Sequence, residues 1–399
     1  MHCSFCIISY LCTQIRIKVK INGIYIQLLA LLLFAACGPK KPEPVVTPWG
    51  QITDTIPVTD EFDLDDIQRA GELIALTLTG PETYYDYHGR HLGTQYMLAQ
   101  RFADKIGVSL RMEVCRDSAE MVRRLNDGEA DLICYPMTKK GIGWLIGKDK
   151  EDLESELAEW YNPKLIEEVK KEEEFLLSNK SVKRRVFAPM LNRSGGVISH
   201  YDSYFQRYAS TIRWDWRLMA AQCYQESTFD PQARSWAGAC GLMQIMPATA
   251  DHLGLPRANI FNPEQNIAAA AKYLGELERN FSDIRERSER TKFVLAAYNG
   301  GHFHIRDAMA LARKHGKNEH RWADVEGFVL GLAKPENYND PVVKYGYMRG
   351  SETVDYVRKI HERWNGYRGV RAPRSGLAPS SMPQKATHER KKKYQINEN

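Results

Sequence analysis

The sequence predicts an α+β protein in which a single N-terminal α/β lobe is followed by an all-α domain. Short apolar strands alternate with amphipathic helices between residues 61 and 164, which is typical of a parallel α/β layer. From Tyr201 to Trp364 the pattern becomes helical and poor in strands. The chain has 399 residues, 43% of them hydrophobic, which is ordinary globular composition with enough length for two domains.

The net charge of +5 is only a mild excess of basic residues. No paired zinc-ligand spacing or other nucleic-acid motif accompanies it. We therefore expect no nucleic-acid partner.

Residues 1–37 are predicted to be a signal segment. Arg16, Lys18 and Lys20 precede an apolar stretch at 24–34 that is too short to span a membrane comfortably as a mature helix. The stretch runs into "LFAAC", which resembles a bacterial lipobox and would make Cys37 the lipidated first residue of the mature protein. A plain signal peptide or a short membrane anchor is the alternative. The Pro-rich tether that follows, within a linker at 38–60, favours the lipoprotein.

A lipid anchor would place the mature chain in the cell envelope, and we expect the periplasmic face of the outer membrane. That compartment permits disulfides, and four cysteines after the anchor allow three pairings. Cys223 and Cys240 flank a motif described below, so a bridge between them would brace it. Buried free thiols are the other interpretation.

The α/β lobe is predicted at 61–164, with strands at 71–78, 108–114 and 130–136 and helices at 93–107 and 118–128. The stretch from "GELIALTL" to "DLICYPM" resembles the first lobe of a family 3 periplasmic solute-binding domain. The following residues, 142–164, already resemble the segment that returns to this lobe. The second lobe is therefore expected to be missing. A complete domain of this kind has two lobes that close on the ligand, and one lobe alone cannot enclose a small molecule. We expect a spacer, or a docking surface for cell-wall proteins.

Two further segments are read as connections without chemistry. Residues 165–194 form a charged connector that begins with a solvated helix, and residues 366–399 form a basic tail that we expect to be disordered. The domain between them is predicted at 195–365.

One carboxylate stands out in the helical domain. The helix predicted over 211–227 carries Trp216, Met219, Cys223 and Glu226 at spacings of 3, 4 and 3, so Glu226 continues an apolar stripe. Burial disfavours the charged form of a carboxylate and raises its pKa, which suits a general acid. A buried glutamate satisfied by Arg217 or by a backbone group fits the spacing equally well.

Other segments place polar groups beside small or apolar ones. "AGACGLMQIMP" at 237–247 combines small residues with Gln244, and the apolar helix at 292–301 ends in Tyr298 and Asn299 before two glycines. The helix at 262–281 has an Asn N-cap, then Pro, and reads as a core helix. Each of these signals is weak alone.

Together, "QESTFDPQA", "GACGLMQIMPATA", "AAYNGG" and "ETVDYV" resemble, in this order, the motif set of the Slt-type lytic transglycosylases, which have a lysozyme-like fold. The usual motif has Ala where Gly300 stands. The resemblance implies that Glu226 is the catalytic acid and base. It also implies a set of substrate-binding residues, namely Ser227, Gln244, Met246, Tyr298, Asn299 and Tyr356.

The implied substrate is the peptidoglycan glycan strand, cleaved at the β-1,4 bond from N-acetylmuramic acid to N-acetylglucosamine. The product would carry a 1,6-anhydro ring, because the muramyl C6 hydroxyl attacks C1 and one carboxylate suffices. Neither a metal nor another cofactor is implied, since the histidines at 302 and 304 lack a matched second pair.

Two alternatives remain. A goose-type-lysozyme-like muramidase would need a group that activates water, for which Asp230 is the nearby candidate, although "FDP" reads better as a turn. A non-catalytic peptidoglycan-binding or sensing lipoprotein is disfavoured by the presence of Glu226 within a full motif set.

Overall fold

The structure is a computed structural model that describes residues 62–139 and 141–368. The predicted signal segment with Cys37, the linker at 38–60 and residues 369–399 of the basic tail lie outside the described residues. Within the described part of the chain, no helix is long and apolar enough to cross a membrane.

The N-terminal part alternates strands and helices. Its elements are, in order, α1 (Leu64–Ala70), β1 (Glu72–Thr77), β2 (Tyr85–Tyr87), β3 (Arg90–Leu92), α2 (Thr94–Ile106), β4 (Ser109–Val114), α3 (Ser118–Asn126), β5 (Leu132–Ile133), β6 (Leu145–Ile146), α4 (Glu151–Trp160) and α5 (Lys164–Leu176).

One sheet forms the centre of this lobe, with strand order β4-β1-β5-β6. β1 pairs in parallel with β4, from Glu72 opposite Ser109 to Thr77 opposite Val114, and in parallel with β5. The short β6 returns antiparallel to β5, and β2 and β3 form a separate hairpin. The predicted parallel α/β lobe is confirmed, although the third predicted strand shrinks to Leu132–Ile133.

The chain does return directly to this lobe after β6. The Asp63 carboxylate accepts hydrogen bonds from the backbone nitrogens of Asp152 and Leu153, so it ties the start of α4 to the start of α1. Leu153 and Leu157 of α4 are buried in the same apolar core as Leu73 of β1. The predicted solvated helix also contributes here, since Val169 of α5 is fully buried in this core.

The second part is helical. Its elements are α6 (Asp202–Thr211), α7 (Trp216–Ser227), α8 (Pro247–Leu253), α9 (Pro263–Asn280), α10 (Arg287–Gly300), α11 (His302–Lys314), α12 (Trp322–Gly331), α13 (Pro335–Tyr338) and α14 (Gly350–Tyr367), with short 3-10 turns at Asn179–Ser181 and Arg257–Asn259. The predicted all-α character of this part is confirmed.

The helix predicted over 211–227 begins later than expected. α6 runs to Thr211, Arg213 adopts a left-handed φ of 57°, and the Asp215 side chain caps α7 by accepting from the Arg217 nitrogen. The prediction therefore merged two helices that are separated by a tight turn. α7 lies at the centre of the helical part, where its Met219, Ala220 and Cys223 side chains are fully buried.

Candidate active site

Glu226 lies in the last turn of α7. The helix stops there because Thr228 takes a left-handed conformation with φ of 54°. Trp216, Met219 and Cys223 of the predicted stripe are buried, while Glu226 is half-buried at the edge of a cleft. The apolar stripe of α7 therefore runs from the core to a carboxylate that lines the cleft.

The surroundings keep a substantial fraction of this carboxyl group protonated near neutral pH. Burial raises the pKa of Glu226 to about 7, against a hydrogen bond from the Tyr356 hydroxyl and the nearby Arg184 charge, which both lower it. Arg184 itself donates to the Glu226 carbonyl oxygen over 3.0 Å. Arg217, the partner considered from the sequence, pairs with Asp215 at the opposite end of α7.

Tyr356 of α14 is the side chain that contacts the Glu226 carboxylate. Its hydroxyl donates to Oε1 of Glu226 and accepts from Nε2 of Gln222 over 3.2 Å. Burial holds the pKa of Tyr356 well above its ordinary value, so the phenol remains a donor. The predicted positions Glu226 and Tyr356 are thus brought into direct contact.

A cleft of about 800 Å³ surrounds this pair, which is the size of a site for a large ligand. Most of the predicted substrate-binding residues line it, namely Gln244, Met246, Tyr298, Asn299 and Tyr356.

Four of these five side chains, all but Met246, form hydrogen bonds to the backbone or to a neighbouring side chain. The Gln244 backbone has a left-handed φ of 47°, and Nε2 of its side chain donates to the carbonyls of Ala233 and Gly241. The Tyr298 hydroxyl donates to the Met243 carbonyl over 2.7 Å. Fixed side chains of this kind lower the cost of ordering a site around its ligand.

Asn299 and Gly300 show why the chain departs from the usual motif. The Thr353 hydroxyl donates to Oδ1 of Asn299 over 2.7 Å. A Cβ atom on Gly300 would lie 2.6 Å from Oγ1 of that same threonine and would collide with the Met348 side chain. Glycine at 300 therefore allows α14 and Met348 to approach the end of α10.

Ser227 is placed differently from its predicted role. Its side chain is fully buried, and its hydroxyl donates to the Cys223 carbonyl over 3.2 Å. It is missing from the described residues that line the cleft. The hydroxyl closes the end of α7 and does not face the space beside Glu226.

Asp230 is likewise a structural residue. It is buried, and its carboxylate accepts from the backbone nitrogens of Arg185 and Gln232 over 2.6 and 3.0 Å. It does not belong to the described cleft lining. The "FDP" segment is a turn held by this aspartate, as the sequence suggested.

Several cleft residues were missed by sequence reasoning. The connector contributes Arg184 and residues 176–178, the β2–β3 hairpin contributes residues 86–89, and the segment before α14 contributes Tyr345, Met348 and Arg349. Only the aromatic and charged character of these stretches hinted at a site. Their proximity to Glu226 depends on contacts between distant parts of the chain.

The cysteines of the described residues are free and buried, at positions 115, 134, 223 and 240. The Cys223 and Cys240 thiols each donate to a nearby carbonyl. Among the described residues, no group of three or more His, Cys, Asp or Glu side chains is arranged to hold a metal ion.

The helical part of the chain is similar to proteins of a known family. Residues 203–321 match the family model of the transglycosylase SLT domain. The membrane-bound lytic murein transglycosylase F of Pseudomonas putida is 38% identical over 165 residues, which is 41% of this chain and 33% of that protein. The protein of the same name from Desulfosudis oleivorans is 40% identical over 155 residues, 39% of this chain and 33% of that protein. The chain thus spans about a third of the length of these relatives.

Solved structures also match parts of the chain. The 70-kDa soluble lytic transglycosylase SLT70 from Escherichia coli is 27% identical over 42% of this chain and 24% of that chain, with a TM-score of 0.29. The arginine-bound form of domain 1 from TmArgBP is 20% identical over 27% of this chain and 98% of that chain, with a TM-score of 0.22. Both TM-scores are low.

Proposed function

We propose, from the transglycosylase SLT domain that residues 203–321 match, that this protein is a lytic transglycosylase that acts on peptidoglycan. Its similarity to membrane-bound lytic murein transglycosylases agrees with this activity. The observation that carries the proposal is the half-buried Glu226, whose pKa is raised to about 7, in contact with Tyr356 inside a cleft of glycan size.

The reaction proposed is cleavage of the β-1,4 bond between N-acetylmuramic acid and N-acetylglucosamine. The protonated Glu226 carboxyl gives its proton to the leaving oxygen while positive charge develops at C1 of the muramyl residue. The resulting carboxylate then removes the proton from the muramyl C6 hydroxyl, which attacks C1 and closes the 1,6-anhydro ring. Glu226 ends protonated, ready for the next cycle.

A single carboxylate is enough for this route. In glycosidases that use two carboxyl groups, the second one forms a covalent intermediate or activates water. Here the nucleophile belongs to the substrate, and intramolecular attack is equivalent to an effective concentration of roughly 10⁵ M or more.

The other carboxylates that line the cleft have structural partners. Glu352 accepts from the Tyr87 hydroxyl and pairs with Arg349 over 2.9 Å. Asp355 pairs with Arg358 and Lys359, and the hydrogen bond from Arg358 is the main reason that its pKa is lowered. Asp86 accepts from the Gly89 nitrogen within the hairpin turn. Glu226 is therefore the carboxyl group best suited to proton transfer.

The decisive experiment is mass spectrometry of isolated sacculi digested with the purified protein. We expect muropeptides with 1,6-anhydro ends, and none from the Glu226→Gln variant. Reducing muramyl ends would instead indicate a muramidase, and the absence of any released product would indicate a non-catalytic binding protein.

We also propose that the mature chain is anchored to a cell-envelope membrane through a lipid on Cys37, with peptidoglycan as its partner. The "LFAAC" sequence supports the anchor, and the relatives are membrane-bound by name.

A further inference from the structure

The edge of the α/β lobe where a ligand would bind is covered by the chain itself. In open α/β sheets, ligands bind outside the carboxyl ends of the parallel strands. Just beyond the end of β1, the Thr79 hydroxyl accepts a hydrogen bond from the Tyr347 nitrogen over 3.1 Å. The Tyr347 ring is buried in the lobe core and packs edge-on against Tyr85, with ring centroids 5.1 Å apart. Tyr347 therefore occupies part of the edge at which a small molecule would bind.

The hairpin that leaves this edge extends to the catalytic cleft. Tyr85 fastens its base by donating to Glu173 of α5 over 2.8 Å. Further along, the Tyr87 hydroxyl donates to Glu352 of α14 over 2.8 Å, and Nε of Arg90 donates to the Ala237 carbonyl over 3.1 Å. The hairpin is therefore held from both sides, by the lobe and by the helical part.

Its turn presents groups that suit a sugar. The Tyr87 ring stacks on Trp236 with an interplanar angle of 6° and centroids 6.0 Å apart, and both residues line the cleft. Exposed His88 and Gly89 line it too, and a Cβ on Gly89 would lie 3.6 Å from the Met246 side chain.

The position of His88 fits this role. Its side chain is exposed to the cleft, and a neutral imidazole can both donate and accept hydrogen bonds. Sugars offer C–H faces that pack on aromatic rings, together with hydroxyl and amide groups that pair with neutral partners.

We propose that the hairpin Tyr85–Leu92 is a glycan-contacting wall of the cleft, so that the α/β lobe forms part of the polymer site and has no separate small-molecule ligand. This inference rests on the proposed function, because it takes the substrate to be a glycan strand. It assigns His88 as a substrate-binding residue that comes from outside the helical domain.

The test is calorimetry with a soluble peptidoglycan-derived tetrasaccharide and protein carrying Glu226→Gln, so that no turnover occurs. His88→Gly removes the side chain and suits the left-handed φ of 49° at this position. We expect it to weaken binding about 5- to 10-fold, the loss of one or two hydrogen bonds. His88→Asn, which also tolerates this φ, serves as a second variant. His91→Ala in the same hairpin is the control, because His91 is not among the described residues that line the cleft.

Equal affinity of the His88 variants and the His91 control would overturn the inference while leaving the proposed function intact. If the parent protein binds no glycan at all, the proposed function itself fails. Titration of the wild-type protein with free amino acids is the second arm. We expect no heat of binding, and micromolar affinity would show that the lobe retains a small-molecule site and that the inference is wrong.

Discussion

The Tyr356 hydroxyl donates a hydrogen bond to Oε1 of Glu226 across 130 residues of sequence. This contact joins α14 to the last turn of α7. The hydrogen bond favours the charged carboxylate, whereas burial favours the neutral acid. Burial has the larger effect, so the pKa of Glu226 is raised to about 7. The balance provides an acid and a base in one residue near neutral pH.

The pH dependence of activity should reflect this balance. Because the first step needs the protonated carboxyl, kcat/KM should fall as the pH rises through about 7. The measurement is release of soluble muropeptides at low substrate concentration between pH 5 and pH 9. A rate that is constant across pH 6 to 8 would contradict the assignment of Glu226 as the acid.

Removing the Tyr356 hydroxyl should shift the pH at which kcat/KM falls. Tyr356→Phe deletes a hydrogen bond to the charged form of Glu226, so the pKa of Glu226 should rise further and the fall in kcat/KM should shift by about one pH unit to higher pH. Tyr367→Phe is the matched control, because Tyr367 lies in the same helix and donates to the Pro189 carbonyl. A profile that coincides with that of the control would show that Tyr356 does not tune the acid.

Stability should depend on pH through the same group. The folded protein resists ionisation of Glu226, so the wild type loses stability as the pH rises from about 4.5 to about 7, and Glu226→Gln does not. The rise of the pKa from 4.5 to about 7 corresponds to about 3 kcal/mol, which the partial exposure of the carboxyl group reduces, so we expect the variant to be more stable at pH 9 by about 2–3 kcal/mol, with little difference at pH 4. Denaturant unfolding at both pH values measures this, and a difference that does not change with pH would refute it.

A side chain at position 300 should destabilise the protein. Gly300→Ala would push Met348 and Thr353 away from the end of α10, and we expect a loss of about 1–3 kcal/mol in stability together with lower kcat/KM. Gly327→Ala is the control, because that exposed helical glycine has no neighbouring atom within 4 Å of the added Cβ. We expect the control to be neutral or slightly stabilising. Thermal unfolding measures the stability of both variants. Equal melting temperatures would mean that the helices adjust to the added methyl group without loss of stability.

The lipid anchor can be tested directly. Cys37→Ala should leave the exported protein unlipidated and largely in the soluble fraction. Labelling of cells with radioactive palmitate measures this, with the wild-type protein as the positive control. Label that still enters the variant would exclude Cys37 as the acceptor.

The sequence predicted the elements that depend on local pattern. The stripe that ends in Glu226 and the cap at Asn262 are periodic or short-range signals, and both are present. The substrate contact of Ser227 stays a prediction, and the structure gives it little support, because consecutive residues of a helix point about 100° apart and this neighbour of a cleft residue is buried.

The remaining site residues depend on tertiary contacts. Arg184 lies in a segment whose charges read as solvated, yet it reaches the carbonyl of Glu226. Tyr87 meets Glu352 from 265 residues away. No periodicity in the sequence predicts this contact, since it depends on how two surfaces from distant parts of the chain fit together.

The hairpin contact also bears on how this protein can be dissected or recombined. A fragment that begins at residue 195 would lose the connector residues beside Glu226 and would uncover the faces of Trp236 and Tyr347 that the lobe now covers. Newly bared aromatic surface promotes aggregation. A fragment that keeps this chemistry should therefore include the α/β lobe and the connector together with the helical part, even though the sequence reads as two modules joined by a connector.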